Sequence, residues 1–128
     1  PAGRPPGDGG AAAMTKLFLI LAMARIIAGE APACPLEAKV AVANVMQNRE
    51  RAGIAGGWYG DREPGAADLA VAWLAAHDRL PQLAPDALYA IGPGDKARMP
   101  WLAGAEPALS FACPGTWIEL YGVMKITP

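Results

Sequence analysis

The stretch that decides the fold is Leu21 to Arg51, LAMARIIAGEAPACPLEAKVAVANVMQNRER. An apolar segment, Leu17 to Ala28, runs into one carboxylate, Glu30, and is then broken by Gly29, Pro32 and Pro35 before a second periodic segment begins. That pattern predicts two helices joined by a tight turn, with Glu30 at the end of the first beside apolar surface. Burial of that kind raises a carboxyl pKa and makes the group a general acid; the alternative is a last-turn glutamate open to water.

The second helix carries its own signals. Pro35 suits its first turn, Glu37 favours the positive end of the dipole, and Gly53 offers a left-handed stop. At 100° per residue Glu37, Asn44, Asn48 and Arg51 share one stripe, opposite Leu36, Val40, Ala43 and Met46. The stripe reads as a solvated face, or as one that turns Asn48 into a cleft. Arg49 falls among Val42, Val45 and Met46, where an unpaired cation is costly, so it needs a carboxylate or carbonyl partner. Its role is a structural bond or the orientation of Glu30.

GEA at Gly29 to Ala31, followed by AVANVMQNR at Ala41 to Arg49, resembles the spore-cortex-lytic cell wall hydrolase family (SleB type). The likeness continues through AVAWLAAH at Ala70 to His77, APDALYAI at Ala84 to Ile91, Pro100-Trp101 and WIELYG at Trp117 to Gly122. Matches in the right order over roughly Leu17 to Gly122 are more specific than GEA alone. The resemblance implies an α+β, mainly α, lysozyme-like domain with a small antiparallel sheet, acting on peptidoglycan between N-acetylmuramic acid and N-acetylglucosamine. It implies that Glu30 is the catalytic acid and that Asn48, Trp101 and Tyr121 lie on the substrate side.

From Gly53 to Gly65 a glycine-rich loop holds Trp58, Tyr59, Asp61, Arg62 and Glu63. Aromatic faces among hydrogen-bonding groups suit a saccharide, so Trp58 and Tyr59 are substrate-binding candidates. Members of the family carry a hairpin ending in Gln-Phe-Ser near here; this chain does not. Asp61 and Glu63 are the candidates for a second carboxylate, which a hydrolytic muramidase needs and a lytic transglycosylase does not.

Elsewhere the expectations are plainer. The 128 residues make one domain, with residues 1–13 as a flexible Pro/Gly/Ala leader and 14–128 as the catalytic domain. Met14-Thr15-Lys16 and the apolar run after it mimic a secretory signal, but cleavage near Ala24 would remove the helix leading to Glu30. Arg25 interrupts a run too short for a stable membrane span. A net charge of −1 without a basic stripe argues against nucleic acid. Cys34 and Cys113 are one disulfide or two buried thiols, and His77, at a helix end, is no metal ligand. No metal and no cofactor is expected.

Ala66 to Leu80 reads as a third helix packing through Leu69, Trp73 and Leu74, together with its alanines, closed by Pro81. Ala87 to Ile91 and Thr116 to Lys125 read as strands that pair antiparallel, with a charged loop from Gly92 to Pro100 between them. The expected partner is the glycan strand of peptidoglycan, at an extracytoplasmic site reached by secretion or phage delivery. A non-catalytic wall-binding module, attached to a larger assembly through the leader, is the rival class.

Overall fold

The structure, a computed structural model, describes residues 7–58, 60–102 and 104–122. Helices α1 (Gly7–Glu30), α2 (Leu36–Arg51) and α3 (Ala66–Ala76) precede strand β1 (Tyr89–Ile91). A short helix α4 (Pro93–Arg98), a 3-10 turn (Pro100–Leu102) and strands β2 (Leu109–Cys113) and β3 (Thr116–Tyr121) complete the order. The sheet runs β1-β3-β2 and both pairings are antiparallel, with Ala90 opposite Leu120 and Phe111 opposite Ile118. The fold is therefore α+β and mainly α, as the periodicities predict.

α2 is the axis of the molecule. One side packs Val40 and Ala43 against Ala24 and Ile27 of α1 and Val71, Ala72 and Ala75 of α3. The other packs Ala38, Ala41, Val42 and Val45 against Ala84, Ala87, Ile118 and Leu120. Alanine at so many contacts lets the helices approach closely, because ridges of single methyl groups need little groove. α2 starts after Pro35 and stops where Gly53 turns left-handed at φ +72°, its N–H bonding Glu50 O at 3.1 Å.

Of the stripe read as solvated or turned into a cleft, Glu37 and Arg51 are exposed but Asn44 and Asn48 are buried. Asn44 donates to Pro81 O at 2.9 Å and accepts from Leu83 N and Ala84 N, at 2.8 and 3.1 Å. Asn48 donates to Ala84 O and Ala87 O, both at 2.9 Å, and accepts from Arg51. Two amides thus hold the backbone of the segment from Pro81 to Ala87, which lies outside any helix or strand.

The third helix is shorter than expected, ending at Ala76 because Asp78 takes φ +55° and Arg79 N returns to Leu74 O at 2.9 Å. Of its expected packing face, Ala72, Ala75 and the half-buried Leu74 meet the core, while Leu69 and Trp73 do not. Trp73 is 44% exposed and stacks on the His77 ring with centroids 4.0 Å apart. Val71, Ala72 and Ala75 share the face of α3 that meets the core, and Trp73 falls on the opposite side of the helix. At the start of α3, Asp68 meets Lys39 at 2.6 Å in a buried bridge, and Lys39 also donates to Ala31 O at 2.8 Å.

Three further differences concern the ends and the link. α1 begins at Gly7, so residues 7–13 are helical where a leader without secondary structure is expected. Gly92 to Pro100 is no simple loop: Pro93 opens α4, and Asp95 Oδ2 accepts Gly92 N–H at 3.1 Å. β2 escapes the sequence reading, and the predicted continuation of β3 over 123–125 lies outside the described residues. Cys34 and Cys113 form a disulfide that ties the α1–α2 turn to the end of β2, across 79 residues. By length and composition alone the segment Gly10–Glu30, mean hydropathy 1.8, could cross a bilayer, where the sequence reads as an apolar run too short to do so; Ala24, Ile27 and Ala28 lie in the core, and Leu17, Phe18 and Leu19 are exposed.

Candidate active site

Glu30 is the last residue of α1, and its setting depends on two glycines 31 positions apart in the chain. A Cβ on Gly29 would lie 2.4 Å from Gly60 Cα and C and from Asp61 N. A Cβ on Gly60 would lie 2.6 Å from Glu30 N and Gly29 C. Backbone rests on backbone there, which only glycine permits. The contact aims Gly60 N–H at Glu30 Oε1, 2.8 Å away, and Arg62 N bonds Arg25 O at 3.2 Å one turn back along α1.

The half-buried Glu30 opens into a cavity of about 470 Å³. Gly57, Trp58 and Gly60 of the glycine-rich loop form one side, and Leu88 to Ile91, including Tyr89 of β1, form another. Asp95, Arg98 and Met99 close it from α4 and its end. Arg49 is the α2 residue that lines it. A larger groove of about 680 Å³ lies between α1, α2 and α3, but its walls are chiefly alanine, leucine, isoleucine and methionine, and Glu30 is not among them.

Arg49 finds carbonyl partners, as the cost of an unpaired cation requires. Its Nη1 donates to Leu88 O at 2.9 Å and its Nη2 to Gly56 O at 3.1 Å. The guanidinium carbon lies 5.7 Å from the Trp58 ring centroid and 5.5 Å from that of Tyr89, so the cation sits over two aromatic faces. Among the described residues, its buried Nε has no hydrogen-bond partner.

The other candidates are dispersed. Trp58 does line the cavity, half-buried, with part of its ring against the core. Tyr59 lies outside the described residues. Asn48 is not in the cavity; its amide holds the 81–87 segment. Trp101 stands 63% exposed on the 3-10 turn, away from Glu30's cavity. Tyr121 is a core residue packed with Ile91 and Leu102, its hydroxyl donating to Glu119 at 3.2 Å. Burial, and next the Glu119 carboxylate, push its phenol above the usual tyrosine range.

Neither candidate for the second carboxylate reaches the cavity. Asp61 is drawn outward to Arg25, Nε to Oδ1 2.7 Å, and that hydrogen bond, then the charge of Asp61, raises the guanidinium pKa. Glu63 is exposed. The carboxylate that does line the cavity with Glu30 is Asp95, which sequence reasoning passed over along with Tyr89 and Arg98. An Asp three residues after Gly92 and two after Pro93 is a helix-start signal, and it was the one local trace of Asp95's placement. Among the described residues no group of three or more His, Cys, Asp or Glu side chains could hold a metal ion.

Comparison with protein-family models, with curated proteins and with solved structures finds no match to this chain.

Proposed function

We propose that the protein cleaves the glycan strand of peptidoglycan between N-acetylmuramic acid and N-acetylglucosamine, as a lytic transglycosylase with Glu30 as its single acid and base. The observation that carries the reading is the Glu30 carboxyl group, held by Gly60 N–H at 2.8 Å at the edge of a cavity walled by Trp58 and Tyr89. At about 470 Å³ that cavity is in the size range of small-ligand clefts. The ordered resemblance to the spore-cortex-lytic family supplies the substrate class.

Glu30 gives its proton to the glycosidic oxygen as C1 acquires oxocarbenium character, and the leaving sugar departs as an alcohol. The carboxylate then takes the proton of the muramoyl 6-hydroxyl, whose oxygen closes on C1 to form a 1,6-anhydro end. The backbone N–H of Gly60 fixes one carboxyl oxygen throughout, so the group need not reorient between the two steps. The Cys34–Cys113 disulfide is in keeping with an oxidising, extracytoplasmic site of action.

One observation favours a hydrolytic muramidase instead: Asp95 lines the same cavity and could activate a water. Products decide between the two. Purified peptidoglycan should lose turbidity with the wild type and not with folded Glu30→Gln. Mass spectra should show anhydro ends, lighter by one water, roughly 18 mass units. Reducing ends alone would establish hydrolysis, with loss of lysis in folded Asp95→Asn then assigning the second carboxylate, and lysis by folded Glu30→Gln would remove Glu30 from the mechanism. Binding to peptidoglycan without cleavage by the wild type would identify a wall-binding module.

A further inference from the structure

We propose that Arg49 is the positioning residue of the Glu30 cleft: one guanidinium clamps its two aromatic walls, Trp58 and Tyr89, and so sets the width available to a sugar ring. The proposal rests on the glycan-cleavage reading for its substrate and on geometry for the clamp. The walls belong to segments with no shared secondary structure, Trp58 to the glycine-rich loop and Tyr89 to β1. Arg49 fastens each of them twice.

On the β1 side, Nη1 bonds the carbonyl of Leu88, the residue before Tyr89, and the cation lies 5.5 Å from the Tyr89 ring. On the loop side, Nη2 bonds the carbonyl of Gly56, two residues before Trp58, and the same cation lies 5.7 Å from that ring. A Cβ on Gly57 would come within 3.0 Å of Nη2, so the loop is pressed directly on the guanidinium. A planar fork can hold two carbonyls in fixed directions while presenting its face to rings, and a lysine ammonium cannot.

Arg49 also leaves its buried Nε without a hydrogen-bond partner among the described residues. A buried donor left unmet costs stability, so a residue kept only to strengthen the fold is poorly served by this arrangement. Such a cost is ordinary where a side chain is held for the shape of a site. Its place on the cavity wall, beside the substrate path and not in the core, points the same way.

The test is Arg49→Lys, which keeps the charge and loses the fork. With the fold confirmed by circular dichroism, KM for soluble glycan strands should rise about tenfold while kcat stays within about threefold. Acrylamide quenching of Trp58, taken as the difference between each protein and its Trp58→Phe counterpart, should roughly double as the wall loosens. Folded Arg49→Lys with KM and quenching unchanged overturns the proposal, as does a fall in kcat with KM unchanged. If the wild type does not cleave glycan, the catalytic reading fails, and the quenching comparison still decides whether the clamp exists.

Should Arg49→Lys not fold, the wild type carries the test. Arginine-selective NMR should then show one guanidinium with separately resolved Nη signals, displaced by ring currents that Trp58→Leu reduces. Rapidly averaged Nη signals without ring-current displacement overturn the clamp.

Discussion

Gly60→Ala should cripple both the stability and the activity of this protein, and the contact distances give the scale. The added Cβ would meet Glu30 N and Gly29 C at 2.6 Å and Gly29 Cα at 2.8 Å, where ordinary contact begins at 3.4 Å. Both obstacles are backbone, so the loop must retreat by about 0.8 Å or more. The Gly60 N–H to Glu30 bond, now 2.8 Å, then stretches beyond about 3.5 Å and ceases to be one. Overpacking costs ~1–3 kcal/mol and a hydrogen bond contributes ~0.5–1.5 kcal/mol, so the loss should be roughly 1.5–4.5 kcal/mol. For a chain of this length that lowers Tm by roughly 5–18 °C. With the acid no longer fixed, glycan cleavage should drop about a hundredfold even well below Tm. Gly94→Ala is the control, since its Cβ would meet nothing within 4 Å. Calorimetry and turbidity assays on both variants check the reasoning, and a Gly60→Ala protein that melts and lyses like the wild type refutes it.

Replacing Cys34 and Cys113 by serine opens a crosslink spanning 79 residues and should cost about 4 kcal/mol, measured by urea unfolding of oxidised wild type and the double variant. Lys39→Met should cost ~3–5 kcal/mol, because Asp68 would be left buried opposite an apolar chain, and adding Asp68→Leu should recover much of it. Tyr121, with its phenol pKa raised in the fold, contributes stability that is complete below the ordinary value of about 10 and is lost as pH rises through the folded value. Absorbance titration at alkaline pH should therefore show one tyrosinate forming late, together with unfolding; Tyr121→Phe should remove that late step.

α1, α2 and α3 were legible because each has an apolar period, and α2 has in addition a proline at its start and a glycine at positive φ at its end, whereas the short α4 lacks such a period and reads as a loop. What lies against each helix was not. A wheel ranks Asn44 and Asn48 as polar and assigns them to water, yet water is one of two media that satisfy an amide. The other is the backbone of the 81–87 segment, whose carbonyls both asparagines meet and whose N–H groups at Leu83 and Ala84 Asn44 meets as well. Trp73 fails in the opposite sense. Its hydrophobicity assigns it to the core, but it falls on the opposite side of α3 from Val71, Ala72 and Ala75, the face that meets α1 and α2. Polarity was read correctly in both cases, and the deciding quantity, which face the distant segments cover and what partners they offer, has no local signature.

The site divides along the same line. Glu30 could be singled out because it is the only acid between Gly9 and Leu36, at the end of an apolar helix. The need of Arg49 for a partner followed from the cost of burying a cation, although that cost does not say which carbonyls would serve. Asp61 and Glu63 were nominated as second carboxylates by nearness in a loop, and nearness misled. The contact between Gly29 and Gly60 lays the loop along α1 with Asp61 pointing out to Arg25, so the residue next to the Glu30 contact faces solvent. Asp95 enters instead from α4, 65 positions beyond Glu30, because β1 pairs with β3 and carries α4 to the cleft. A carboxylate delivered by strand pairing leaves no trace in the spacing of acids along the chain. Single-acid and two-acid mechanisms are therefore not separable by counting carboxylates near Glu30 in sequence, and the products of cleavage are the measurement that separates them.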